Sequence, residues 1–160
     1  MVLHHTMHNW YQIVSKDLAK LPDCVAYYEN ELELAKKEVS IKGKAIERSQ
    51  SELPGIVENR FSQLQEIEAI LEFVNIKYRE IRSITFKKYL EKYAKDLSSR
   101  DADKYCDGDR DVVDMAIIVN EVALLRNKFL ALHKGLDQKS YMLGHITRLK
   151  CAGLDDASVD

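Results

Sequence analysis

Two long apolar stripes at helical spacing, with almost no breakers inside them, constrain this chain more than any other feature. From Phe61 the first runs through Leu64, Ile67, Leu71, Val74, Tyr78 and Ile81, then shifts to Phe86, Leu90, Tyr93 and Leu97. The second runs Val112, Met115, Val119, Val122, Leu125, Phe129, Leu132 and Leu136. Steps of three and four gather such positions on one face of a helix, whereas a strand would alternate them. With two prolines and six glycines in 160 residues, the chain also lacks the turn formers that an all-β or loop-rich fold needs. The pattern predicts an all-α fold of long amphipathic helices, an elongated, coiled-coil-like bundle that associates into a homo-oligomer. At about 1.5 Å per residue the first striped helix would exceed roughly 60 Å, more than a compact domain of this size needs. Such a helix kinks, or it projects and packs on a partner.

The punctuation divides a single helical domain, residues 1–160, into segments. Residues 1–8, with His4, His5 and His8, read as a disordered N-terminus. Asn9 to Leu21 reads as a short helix interrupted by Pro22, with Asp23 as N-cap of a second helix from Cys24 to about Ser49. Gly43 falls inside that helix and marks a bend or close packing. Ser51-Glu-Leu-Pro-Gly is the next break, and a third helix from Pro54 or Gly55 continues to Ser98-Ser99, so residues 9–100 hold the N-terminal long helices. Asp101 to Asp111 is a polar connector with room for one helical turn at Ala102 to Tyr105. Asp107 or Asp109 then caps a helix to about Leu136, weakened in its last turn by Gly135. A final short helix, Ser140 to Cys151, stops at Ala152-Gly153. Residues 109–153 thus form a helical hairpin, and 154–160 form an acidic tail.

Composition and motif spacing exclude several classes. Apolar residues make up 46% and charged residues 31%, enough for a core and against general disorder. Cys24, Cys106 and Cys151 are odd in number and unpaired in spacing, which argues against a disulfide framework and for a reducing, cytoplasmic setting. No run approaches the apolar length of a membrane span. Read as a calcium loop from Asp103, the acidic run places Tyr105 at the third position and Asp114 at the closing one, which breaks the pattern at two ligands. His133 and His145 belong to no zinc spacing, and phosphate loops, dinucleotide glycines and nucleophile elbows are absent. The chain reads as a non-enzyme without metal or cofactor.

Charge is unevenly placed. The net charge is only -2, yet residues 76–100 hold eight basic side chains against three acids, and residues 101–114 hold six aspartates against Lys104 and Arg110. Tyr78, Phe86, Tyr89 and Tyr93 are interleaved with the basic residues. Basic charge with stackable rings suits a single-stranded nucleic acid. Two other readings stand beside it: a solvated helix face with its tyrosines in the core, or a basic block that pairs with the acidic block of a neighbouring subunit.

The C-terminal half adds a resemblance. Asp107-Gly-Asp-Arg-Asp-Val-Val, the helix to Leu136, Lys139-Ser-Tyr-Met-Leu-Gly-His-Ile, then Arg148 and Ala152-Gly153, resemble the UvsY family of recombination mediators from T-even-type phages and their marine relatives. The match in order and spacing covers roughly fifty residues. Lys77-Tyr78-Arg79 is the nearest counterpart of the family's basic Lys-x-Arg element. The Tyr-Tyr-Ser-Gly-like break that often follows this element is missing, and the N-terminal third has no matching motif.

The resemblance implies a helical homo-oligomer that binds single-stranded DNA in a phage-infected host cytoplasm. It further implies a role in loading a RecA-class recombinase against the single-stranded-DNA-binding protein. Lys77, Arg79, Arg82, Lys87, Lys88 and Lys92 would then meet phosphates, and Tyr89 or Tyr93 would stack on bases. Val119, Val122, Leu125, Phe129, Leu132 and Leu136, with Tyr141 and Ile146 of the last helix, would form the subunit interface. The rival reading is a structural or adaptor helical protein of a phage, or a helical inhibitor of a host protein, with no nucleic-acid role.

Overall fold

A computed structural model describes residues 9–43, 45–92 and 97–154. The N-terminal residues 1–8, Tyr93 and the tail residues 155–160 lie outside the described residues. The fold is all-α, with no strand among the described residues. Among the described residues five α-helices follow one another: α1 (Trp10–Lys16), α2 (Leu21–Val39), α3 (Ile46–Lys92), α4 (Ser99–Asp107) and α5 (Arg110–Cys151), with a 3-10 turn at Leu18–Lys20 before α2.

Local chemistry sets most of the boundaries. The Asn9 side chain accepts from Gln12 N–H and starts α1. Asp17 caps the 3-10 turn through Ala19 N–H. Pro22 does not separate two helices; it sits in the first turn of α2, where its missing N–H has no intrahelical partner to lose, and Asp23 lies inside that turn instead of capping it. α2 stops at Val39, ten residues earlier than expected, and Gly43 takes a left-handed φ of 75° in the connection that follows.

Two expected breaks are absent. α3 starts at Ile46 and continues through Pro54. Ser49 and Leu53, four residues apart, are both buried, and Gln50 Nε2 donates to Thr147 Oγ1 at 3.0 Å. Tertiary burial of this turn offsets the hydrogen bond that proline removes. The C-terminal hairpin is likewise a single helix. Leu132, Leu136, Lys139 and Leu143 stay buried at steps of three and four through the expected break at Lys139-Ser140. Gly135 lies against Val39, whose Cγ1 is 3.4 Å from where a Cβ would stand. The connector also differs: Ala102 and Cys106 are fully buried, so 99–107 is a helix whose Ser98 cap accepts from Asp101 N–H.

The helices contribute to two compact units. One comprises residues up to Val25 and Glu66–Arg126; the other comprises Ala26–Gln65 and the chain from Asn127 onward. In the first, Val14, Cys24, Ile67, Ile70, Val74, Val112 and Val122 are buried, and Tyr11 N–H donates to Glu66 at 2.9 Å. Burial, reinforced by Glu66, pushes the Cys24 thiol up to about 12.

In the second unit the Tyr28 ring meets Phe129 edge-on, 5.6 Å between centroids, beside buried Ala35, Leu64 and Leu136. Arg60, 4% exposed, donates twice to Glu38 at 2.8 Å, and to Glu31 at 2.7 Å and Gln63 at 2.9 Å. Burial opposes its charge, and the Glu38 and Glu31 bonds outweigh that effect, so its pKa is raised. Buried Lys139 donates to the Glu38 and Ser40 carbonyls at 2.5 and 3.1 Å, capping the C-terminal end of α2 from α5.

Candidate nucleic-acid interface

The basic block lies on the last turns of α3, and the aspartates of α4 and the α5 start take up part of it. Thr85 is the buried residue of this stretch, so the residues around it turn outward by degrees. Arg82 donates through Nε to Asp107 at 3.0 Å and through Nη2 to Asp103 at 3.0 Å. These aspartates are four residues apart and therefore share one face of α4. The Asp107 bond, joined by Asp103, holds the Arg82 guanidinium above its usual pKa. Cys106 Sγ meets the Arg82 carbonyl at 3.2 Å, and burial raises its thiol pKa. Beside the pairing lies a groove of about 250 Å³ lined by Arg79, Arg82, Ser83, Phe86 and Asp103.

The tyrosines divide in the same way. Tyr89 donates its hydroxyl to Asp109 at 3.0 Å, and its ring stacks on Tyr105 at 6.0 Å and 26°. Asp109 also accepts from Asp111 N–H at 3.1 Å, capping α5. Its carboxylate therefore holds a helix start and a tyrosine at once. Tyr89 is half-buried in this arrangement, and Tyr105 is exposed.

The other expected phosphate contacts have different surroundings. Lys77 pairs with Glu80 at 2.8 Å and lies 5.7 Å from the Phe73 ring centre. Arg79 pairs with Glu72 at 2.9 Å. Lys87 reaches Glu91 only at 3.7 Å, Lys88 has no acidic partner among the described residues, and Lys92 is exposed. These three lysines and Glu91 surround Ile84, which is 69% exposed. Exposed pairs of this kind are worth about 0–1 kcal/mol and leave the cations open to exchange.

The expected subunit interface is for the most part core. Val122, Leu125, Phe129 and Leu136 are buried by the chain itself, and Leu132, 9% exposed, lines the edge of a groove with Val39 and Lys128. Val119 and Ile146 are half-buried, and Tyr141 is exposed with its ring edge against His145 at 4.4 Å. The exposed apolar residues of the α5 start are instead Val113, Ile117 and Leu124. They lie on a second face of the helix, and the stripe that dominates the sequence does not reveal them.

Sequence reasoning also missed Asp103, Asp107 and Asp109 as partners within the chain. Their signal was present as two abutting blocks of opposite sign, with two aspartates at helical spacing. Among the described residues no three His, Cys, Asp or Glu side chains gather as a metal site, and no helix is long and apolar enough to cross a membrane. No family model matches the chain, and neither the curated proteins nor the solved structures give a significant match.

Proposed function

We propose that this chain is a helical, non-enzymatic, single-stranded-DNA-binding protein that acts as a recombination mediator of the UvsY kind, assisting a RecA-class recombinase. The observation that carries the DNA-binding part is the outward lysine face Lys87, Lys88 and Lys92 around Ile84 at the end of α3. Three cations on adjacent turns can track a phosphate backbone without reading bases. The mediator role and its partners rest on the sequence resemblance. In this reading the copies associate through Val113, Ile117 and Leu124, because most of the α5 stripe is buried within the chain.

A titration of short oligothymidylate at several salt concentrations tests the reading. Affinity should fall with salt at a slope near roughly -0.7 per phosphate neutralised. Lys87→Glu with Lys88→Glu should flatten that slope and weaken all sequences alike. Absence of binding at low salt by the folded protein would refute it. The pairing of Arg82 with Asp103 and Asp107 favours a second reading, a helical adaptor whose charge blocks serve only its own fold. That reading gives no binding in the same titration.

A further inference from the structure

Among the described residues of the basic block Arg82 is the cation most fully engaged by acids, and both of its acids lie on one face of α4. The contact is external: the Arg82 side chain is 34% exposed, and those of Asp103 and Asp107 are 54% and 58% exposed. What anchors α4 lies on the adjoining face, about 100° round the helix, where Ala102 and Cys106 are fully buried, and in the Cys106 contact to the Arg82 carbonyl. Arg82 can therefore leave the two carboxylates by side-chain rotation alone, without moving α4 or opening its core. The groove along Arg79, Ser83 and Phe86 provides the space on the solvent side into which a guanidinium and an incoming phosphate fit.

We infer that α4 is an autoinhibitory acidic clasp: Asp103 and Asp107 occupy Arg82 in place of phosphate, and single-stranded DNA competes with them for it. This inference rests on the single-stranded-DNA reading above. The two carboxylates, spaced at one helical turn, meet the guanidinium through two separate N–H groups, as phosphate oxygens would. Exposed ion pairs are individually weak and screened by salt, and Arg79 borders the same groove, so a strand held there presents its next phosphate to Arg82 at a high local concentration. The acidic helix thus raises the charge density that a ligand must offer before Arg82 joins the interface. A continuous phosphate backbone, which engages several cations at once, competes for Arg82 better than an isolated anion does.

The test compares oligothymidylate binding by the full chain, by Asp103→Asn with Asp107→Asn, and by that pair with Arg82→Gln. Asp114→Asn with Glu121→Gln serves as a control that gains the same net charge at residues Arg82 does not pair with. Circular dichroism of each variant establishes that the helices are retained. The clasp predicts tighter binding by the Asp103/Asp107 variant and a salt slope steeper by roughly 0.7, the equivalent of one further phosphate. That gain should shrink about threefold between about 50 and about 200 mM salt, and Arg82→Gln should abolish it. The control should show a smaller change. Unchanged affinity and slope in the Asp103/Asp107 variant, with the parent still binding, would overturn the clasp and leave the DNA reading intact. A gain that survives Arg82→Gln, or is matched by the control, would also overturn it, because general charge would then be the cause. If neither the parent nor the variant binds, the DNA reading fails and the clasp fails with it.

Discussion

Replacing Arg60 with alanine tests the main buried charge assembly of the second unit. The guanidinium is 4% exposed and makes two bonds to Glu38 and one each to Glu31 and Gln63. Alanine removes all four bonds and leaves Glu31 and Glu38, 18% and 26% exposed, without their cation. Breaking a buried pair on one side costs about 3–5 kcal/mol. Both acids keep some access to water and can partly rehydrate, so about 2–4 kcal/mol is expected. Against a total stability of about 5–15 kcal/mol, this loss should lower the thermal midpoint by roughly 5–15 °C. Urea unfolding followed by circular dichroism, with the m-value compared, measures it. Arg60→Lys should recover only part of the loss, because one ammonium cannot reproduce the two-point Glu38 contact and also reach Glu31. Arg60→Met combined with Glu38→Gln should cost less than Arg60→Ala alone, since it removes part of the stranded charge. A loss below about 0.5 kcal/mol for Arg60→Ala would refute the argument, because it would place the cluster among ordinary surface pairs.

Other outcomes follow from the same structure. Cys24 has a folded pKa of about 12 against an ordinary 9.0, so its contribution is complete below pH 9, is lost as pH rises toward 12, and makes stability fall there by about 1.4 kcal/mol per unit; urea midpoints of the parent and Cys24→Ala between pH 8 and 11 should converge as pH rises, and parallel curves would contradict the assignment. An aromatic disulfide reagent should modify exposed Cys151 at once and Cys24 and Cys106 only on unfolding, which stopped-flow absorbance would separate. Gly144→Ala meets no atom within 4 Å of the added methyl and should stabilise α5 by about 1 kcal/mol in a thermal melt. Ile117→Glu with Leu124→Glu changes two exposed positions, so the helices should persist while light scattering shows a mass nearer the 18.5 kDa monomer than the parent's; an unchanged larger mass would move the subunit contact elsewhere.

The helical class was legible in the sequence because steps of three and four between apolar residues are a property of one helix alone. The same local logic offered Asp107 or Asp109 as the cap of α5, and it is the Asp109 carboxylate that accepts from the second N–H of the helix. Breaks were less legible, since proline, glycine and serine carry only a local preference of about 1–3 kcal/mol that burial can exceed. Pro54 and Ser140 therefore lie inside helices, whose burial at Ser49 and Leu53 and at Lys139 and Leu143 depends on other parts of the chain.

The candidate site divides along the same line. The sequence displayed a basic block, its tyrosines and an acidic neighbour, and it left open which of them would meet. Only packing decided that Arg82 faces Asp103 and Asp107, that Tyr89 holds Asp109, and that Lys87, Lys88 and Lys92 point outward. Spacing within one helix is fixed by its own geometry, whereas the pairing of two helices depends on how their buried faces turn them. Here the burial of Ala102 and Cys106 sets the face on which α4 carries its aspartates.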